Sequence, residues 1–239
     1  MAPDTSICVF FKPPRAGEVK TRLIPAAGPG GAASLAEAFF RDTWNCVETL
    51  SWAIPVVAST ELLSSRDLPR RATPVWLQGD GNLGARIERI LRRALKQTPF
   101  AMAIGADSPG IPSRFLDHAH DAIKTADAVI GPCDDGGFYL LGVRECPSGL
   151  LDGIPWSQSR TFASTLKQLR DSGMDVAVID SWYDIDRPED LGRLERELAV
   201  QSIHAPETAK ALKALRLADS MRPVSSPDEF GVRDMSVQG

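Results

Sequence analysis

The 239-residue chain has a formal net charge of −4, with 43 % hydrophobic and 24 % charged residues, an ordinary globular balance whose mild acidity speaks against the basic stripe of a nucleic-acid binder. A chain of this size buries a full core without disulfide or metal staples, and Cys8, Cys46, Cys133 and Cys146 contain no Cys-x-x-Cys pair, so they read as reduced, buried thiols. Residues 1–6 lack the basic and apolar regions of a signal peptide, and no apolar run approaches the roughly 18 residues of a membrane span; no membrane association and a cytoplasmic address are expected.

The predicted elements alternate. Ile7–Phe11 is an apolar, β-branched and aromatic strand that stops at Lys12-Pro13-Pro14. Ala33–Leu50 shows helical spacing, with Ser34 as N-cap and Glu37 three residues on. Strands follow at Pro55–Ser59 and Thr73–Leu77, a helix at Leu83–Leu95 and a continuous apolar strand at Phe100–Ile104. Then come a helix at Pro112–Ala126, strands at Ala128–Gly131 and Phe138–Val143, and a helix at Ser159–Ser172 closed by Gly173. Asp175–Ile179 is the last strand. Pro188–Leu198 opens with Pro at N1 and acidic residues in its first turn, and Ala205–Leu217 is a further helix. This alternation predicts a mostly parallel sheet with helices on both faces. Residues 1–219 are expected to form a single domain. The polar segment 220–239 is expected to be a disordered tail or to pack on a partner. Leu212, Leu215 and Leu217 offer a face for a second copy of the chain.

In open α/β sheets ligands bind beyond the carboxyl ends of the strands, and the residues there are not random. Lys12, Arg15, Lys20 and Arg22 follow the first strand, Asp107-Ser108-Pro109 the fourth, Asp134-Asp135-Gly136-Gly137 the fifth, and Asp184-Ile185-Asp186 the last. Cations at one strand end and carboxylates at three others suit phosphates held with Mg²⁺ or Mn²⁺. Each piece alone also has a structural reading. Lys12–Arg22 fits a solvated loop, Asp107 a helix cap or turn, Asp134–Gly137 a hairpin turn, and Asp184 and Asp186 the start of a helix.

Other chemistries fit less well. His118 and His120 are two apart on a helix, do not face each other, and read as surface residues. With His204 alone near the C-terminus, a zinc site has no ligand set. Neither a Gly-x-Ser-x-Gly elbow nor Gly-x-Gly-x-x-Gly nor a Walker loop is present. Trp156 lies in a loop, open to a pocket-lining reading or to core or lid packing, with packing expected.

Six segments carry a resemblance. In order they are Phe11–Pro14 with Gly17–Leu23, Gly81–Arg86, Gly105–Pro109, Gly131–Gly142, Gly153–Ser157 and Asp184–Leu191. They resemble a bacterial transferase family of the radical-SAM/selenodomain-associated transferase 1 type, often classed as glycosyltransferases and itself similar to 2-phospholactate guanylyltransferase. The likeness runs over about residues 6–195. It implies an α/β, glycosyltransferase-A-like (nucleotide-diphospho-sugar transferase) three-layer fold with a mixed, mostly parallel central sheet.

The resemblance also implies roles. Lys12, Lys20, Thr21 and Arg22 would contact the triphosphate, with Lys20 and Arg22 catalytic. Leu83 and Gly84 would lie beside the base. Asp134, Asp135, Gly136 and Gly137 would face the acceptor, Asp135 acting on it. Asp107 would bind Mg²⁺ (or Mn²⁺), with Asp186 as second ligand by position. Two patterns depart from related families: Pro13-Pro14 replaces a Gly-rich loop, and Asp107 is followed by Ser108-Pro109 rather than completing Asp-x-Asp. The expected reaction is nucleotidyl transfer from a nucleoside triphosphate to a small, phosphorylated acceptor with release of pyrophosphate. A glycosyltransferase using a nucleotide sugar is the alternative, and a non-catalytic nucleotide-binding regulator a second one.

Overall fold

The computed structural model describes residues 2–64 and 73–220. The expected polar tail therefore lies, from residue 221 on, outside the described residues. Seven strands, β1 (Thr5–Phe11), β2 (Ala53–Ser59), β3 (Val75–Leu77), β4 (Phe100–Gly105), β5 (Ala128–Pro132), β6 (Phe138–Val143) and β7 (Val176–Val178), form one sheet in the order β3-β2-β1-β4-β6-β5-β7. Strand β6 alone is reversed. It pairs antiparallel with both β4 and β5, while the other pairs are parallel. The reversal follows from the five-residue connection 133–137, which is too short for a parallel crossover.

Among the described residues, α1 (Ile24–Glu48), α2 (Leu83–Ala94), α3 (Ser113–Ile123) and α4 (Thr161–Asp171) pack on this sheet, and α5 (Pro188–Ala199) and α6 (Pro206–Ser220) pack on α1. The period of two along β1 divides the core. Ile7, Val9 and Phe11 pack with Phe40, Trp44 and Val47 of α1 and Leu116 and Ile123 of α3. Cys8 turns to the other face with Ile87, Ile90 and Leu91 of α2 and Leu169 of α4. A third cluster joins Leu35 and Phe39 of α1 to Leu194 of α5 and Leu212 of α6, so α1 is covered on both sides. Among the described residues no helix is long and apolar enough to cross a membrane.

Three expectations need correction. The first long helix starts at Ile24, and not at a Ser34 cap. Gly28 breaks its regular geometry at φ 68°, ψ 166°, ahead of Pro29. That Gly/Pro-rich stretch has the poorest helix propensity and masks the first turn in the sequence. His120 is buried rather than superficial. Its ring stacks on Trp52 with centroids 4.1 Å apart, and its Nε2 lies 2.8 Å from Asp4 Oδ1; His118 does stay exposed. The leucines of α6 also divide. Leu212 is buried and Leu215 packs onto Gly31 of α1, where an added Cβ would lie 2.4 Å from Leu215 Cδ2. Only Leu217 remains exposed.

Candidate active site

Past the carboxyl ends of β1 and β4, and beside the β5–β6 turn, lies a cleft of about 1080 Å³. The segments that form it are pinned to each other. Ile185 N–H donates to Asp107 O at 3.0 Å, and Asp134 N–H to Trp182 O at 3.1 Å. Asp107 after β4, the 133–137 turn and the 182–186 segment therefore form one wall.

Lys20 is at the centre of the charges. Its backbone is left-handed at φ 44°, ψ 43°, a conformation costly for a non-glycine residue and concentrated at functional sites. The turn directs the side chain inward. Nζ lies 2.6 Å from Asp186 Oδ1 and 3.0 Å from Asp107 Oδ1, and the side chain is only 6 % exposed. Burial alone would lower its pKa. The charges of Asp107 and Asp186 outweigh burial and hold the ammonium above the ordinary lysine value. Arg22, 61 % exposed, approaches Asp186 Oδ2 at 3.6 Å. Lys12 Nζ donates to Glu18 O at 2.9 Å, tying the two ends of the loop that carries these cations.

A second cluster adjoins the first. Ligand atoms of Cys133, Asp135 and Asp184 lie within 4.8 Å of each other. Burial, followed by the charges of Asp135 and Asp186, raises the Asp184 carboxyl to about 6. Burial and the surrounding aspartates likewise push the Cys133 thiol up. The donor set fits a hard divalent ion, because carboxylate oxygens predominate in it. Asp135 and Asp184 bring their oxygens together there, while the expected ligands Asp107 and Asp186 stand on the same wall, engaged by Lys20.

The acidic turn separates its two aspartates. Asp134 pairs with Arg193 of α5 at 2.8 Å, and that guanidinium also lies 3.7 Å over the Tyr183 ring. Asp135 is exposed and accepts the Gly137 N–H at 2.7 Å. Gly136, at φ 88°, does not face the cleft; a Cβ there would fall 1.9 Å from Ser159 O. It fastens the turn to α4, whose Phe162 N–H donates to Gly136 O at 2.8 Å. Thr21 and Leu83 line the cleft. Gly84 is buried, because Trp156 Cζ2 and Leu151 O would each stand 2.9 Å from a Cβ there.

Of the expected residues, then, the structure brings Lys12, Lys20, Thr21, Arg22, Leu83, Asp107, Asp134, Asp135, Gly137 and Asp186 to one cleft. Gly84 and Gly136 serve close packing behind it. The strand-end reading named Asp184 without giving it a role and left Trp156 between pocket lining and core or lid packing, while Gln78 and Arg193 were not selected; all four line the cleft. Asp184 had a signal: it alternates with buried Ile185 and so shares a side with Asp186. Arg193 had none, since its partner Asp134 is 59 residues away.

Fold and cleft together are those of nucleotide-dependent transferases, and comparison with known proteins agrees. The model of a bacterial family described as "Uncharacterized protein conserved in bacteria (DUF2064)" matches residues 46–158. The chain is 23 % identical over 209 residues to 2-phospho-L-lactate guanylyltransferase of Methanothermobacter thermautotrophicus, covering 86 % of this chain and 91 % of that one. Among solved structures it is similar to a Desulfovibrio desulfuricans protein provisionally named nucleotide-diphospho-sugar transferase. That match has 25 % identity and a TM-score of 0.76, over 90 % of this chain and 98 % of that one. A nucleotidyl transferase from Methanothermobacter shares the fold at 14 % identity and a TM-score of 0.57, over 83 % of this chain and 99 % of that one.

Proposed function

We propose that this chain is a metal-dependent nucleotidyltransferase that moves a nucleoside monophosphate from a nucleoside triphosphate to a small phosphorylated acceptor, with release of pyrophosphate. The observation that carries the reading is the buried Lys20 ammonium, clamped by Asp107 and Asp186 at the mouth of the first loop. Likeness to the guanylyltransferase supports it. In phosphoryl and nucleotidyl chemistry the barrier is charge repulsion and loose positioning, so fixed cations at the reacting phosphate do most of the catalysis. Lys20 is fixed by its two carboxylates and presents a preorganised positive charge. Arg22 and Lys12, more exposed, bind the outer phosphates. A divalent ion held by Asp107, Asp184 and Asp186 would supply further charge neutralisation. Asp135 and the Gly137 backbone orient the acceptor. Arg193 keeps Asp134 paired, which leaves Asp135 as the carboxylate free to accept an acceptor proton.

A glycosyl-transfer reading is favoured by one finding, the likeness to the Desulfovibrio protein. Product analysis separates the two. Purified protein with Mg²⁺, each nucleoside triphosphate and phosphorylated hydroxy acids is expected to release pyrophosphate, to lose turnover in EDTA, and to lose at least ~100-fold as Asp107→Ala with the fold unchanged. Release of a nucleoside diphosphate from a nucleotide sugar instead would establish the glycosyl reading, and full activity of Asp107→Ala would remove the metal assignment.

A further inference from the structure

Five side-chain donors or hydroxyls are buried without a hydrogen-bond partner among the described residues: Thr43 Oγ1, Trp44 Nε1, Trp156 Nε1, Trp182 Nε1 and Thr208 Oγ1. Only Trp156 belongs to a residue lining the cleft. An indole N–H can donate and never accept, and a covered one ordinarily finds an acceptor. An unmet donor at the rim of a ligand cleft therefore calls for an acceptor that the protein itself does not provide.

The surroundings of the ring indicate which part of a ligand would meet it. The indole packs on the first turn of α2 at Gly84 and meets the Phe138 ring at 6.0 Å, nearly edge-on at 66°. Together with Phe10, Leu83 and Ile87 these residues give the cleft its apolar lining, separate from the Lys20–Asp107–Asp186 cluster where phosphates belong. Resting on the nucleotide-transferase reading, we infer that Trp156 is a specificity-determining residue whose indole N–H donates to an oxygen of the bound nucleoside, either a ribose hydroxyl or a base carbonyl.

The segment carrying Trp156 has the means to turn the covered N–H toward a ligand. It is anchored before the ring by Gln168 Nε2, which donates to Leu150 O at 3.0 Å and Asp152 O at 2.8 Å. Beyond the ring it is anchored by the Phe162–Gly136 bond. Between the anchors, Gly153 sits at φ 73° with open space around it. Ser157 is held at φ 58°, a region that L residues adopt at a cost. A rotation at these two positions would turn the indole N–H toward the cleft.

The experiment is calorimetric titration with Mg²⁺ and GTP, 2′-deoxyGTP or ATP, on the wild type and Trp156→Phe, which keeps a ring and removes the donor. The variant is expected to bind GTP roughly three- to tenfold more weakly, the range for one hydrogen bond. It should also lose one wild-type preference: GTP over 2′-deoxyGTP if the partner is the ribose hydroxyl, GTP over ATP if it is the base carbonyl. Unchanged affinity with both preferences retained overturns the inference while leaving the transferase reading in place. Failure of the wild type to bind any of these or CTP or UTP removes both. Should Trp156→Phe not fold, the wild-type indole N–H resonances decide. One of the five is expected to move downfield on adding Mg²⁺ and GTP, and no movement overturns the inference.

Discussion

Glu88 is the single carboxylate of α2, a helix otherwise rich in arginine, and it is 3 % exposed. Its Oε1 accepts the Leu151 N–H at 2.7 Å, and its Oε2 accepts the Gly149 N–H at 3.1 Å and meets Arg92 at 2.8 Å. Glu88→Ala strips two backbone donors of their acceptor, one of them on fully buried Leu151. Hydrogen bonds to a charged acceptor contribute about 1.5–3 kcal/mol each. The Arg92 pair, exposed on the arginine side, contributes about 0–1 kcal/mol. A loss of about 3–5 kcal/mol follows, within the range for breaking a buried charged contact. For a chain of this length that lowers Tm by roughly 6–20 °C. Glu88→Gln retains one acceptor oxygen and should lose about half as much. Denaturant unfolding of both variants measures this, and a loss below about 1 kcal/mol in Glu88→Ala would refute the view that this carboxylate secures the chain ahead of the Trp156 segment.

Two further outcomes follow from geometry. Gly136→Ala enters a left-handed position, costing about 1–2 kcal/mol, and meets Ser159 O at 1.9 Å, adding an overpacking cost of about 1–3 kcal/mol; Gly137→Ala meets only the movable Asp135 side chain, so thermal unfolding should rank Gly136→Ala as clearly the worse, and the reverse order would contradict the docking of this turn on α4. The Asp4 carboxyl, although burial raises it, is held below its ordinary pKa by hydrogen bonds from Thr5 and His120 and by the charge of His120. A lowered acid contributes stability that is present above the unfolded value of about 3.9 and is lost as pH falls through the folded one. Acid unfolding of Asp4→Asn should therefore be flatter below pH ~4 than that of the wild type, and parallel curves would exclude the linkage.

What the sequence revealed and what it hid have separable physical causes. Local chemistry was legible: the Phe11–Lys12 stop, the Asp107 turn after an apolar run, and the 133–137 connection all report short-range constraints. The site lay largely on those strand ends, so its charged residues could be read together. The 133–137 turn was open to a hairpin reading and a site reading, and the two are compatible, because the hairpin reverses β6 and places Asp135 in the cleft. Long-range pairing was not legible. No local pattern announces that β6 inserts between β4 and β5, that Arg193 reaches Asp134, or that Glu88 of a basic helix binds backbone 61 and 63 residues away. Gly84 and Gly136 show a different limit: a motif glycine looks the same whether a ligand or a neighbouring chain segment needs the space.

The charge balance of the cleft bears on how a nucleotide would enter it. Asp134 is neutralised by Arg193 and Lys20 is already shared between Asp107 and Asp186. Lys12 and Arg22, the latter 3.6 Å from Asp186, join Lys20 as cations offered to phosphate, facing Asp135 and Asp184 as well as the clamped pair. A bare triphosphate, with about four negative charges, would meet a wall with more carboxylates than cations, at separations where each repulsion is on the order of several kcal/mol even at an effective dielectric constant near 20. Entry of the nucleotide as its metal complex would remove much of that repulsion. Under the proposed function, acidic residues gathered around a phosphate site would make productive binding conditional on the metal, with Lys20 holding Asp107 and Asp186 in place.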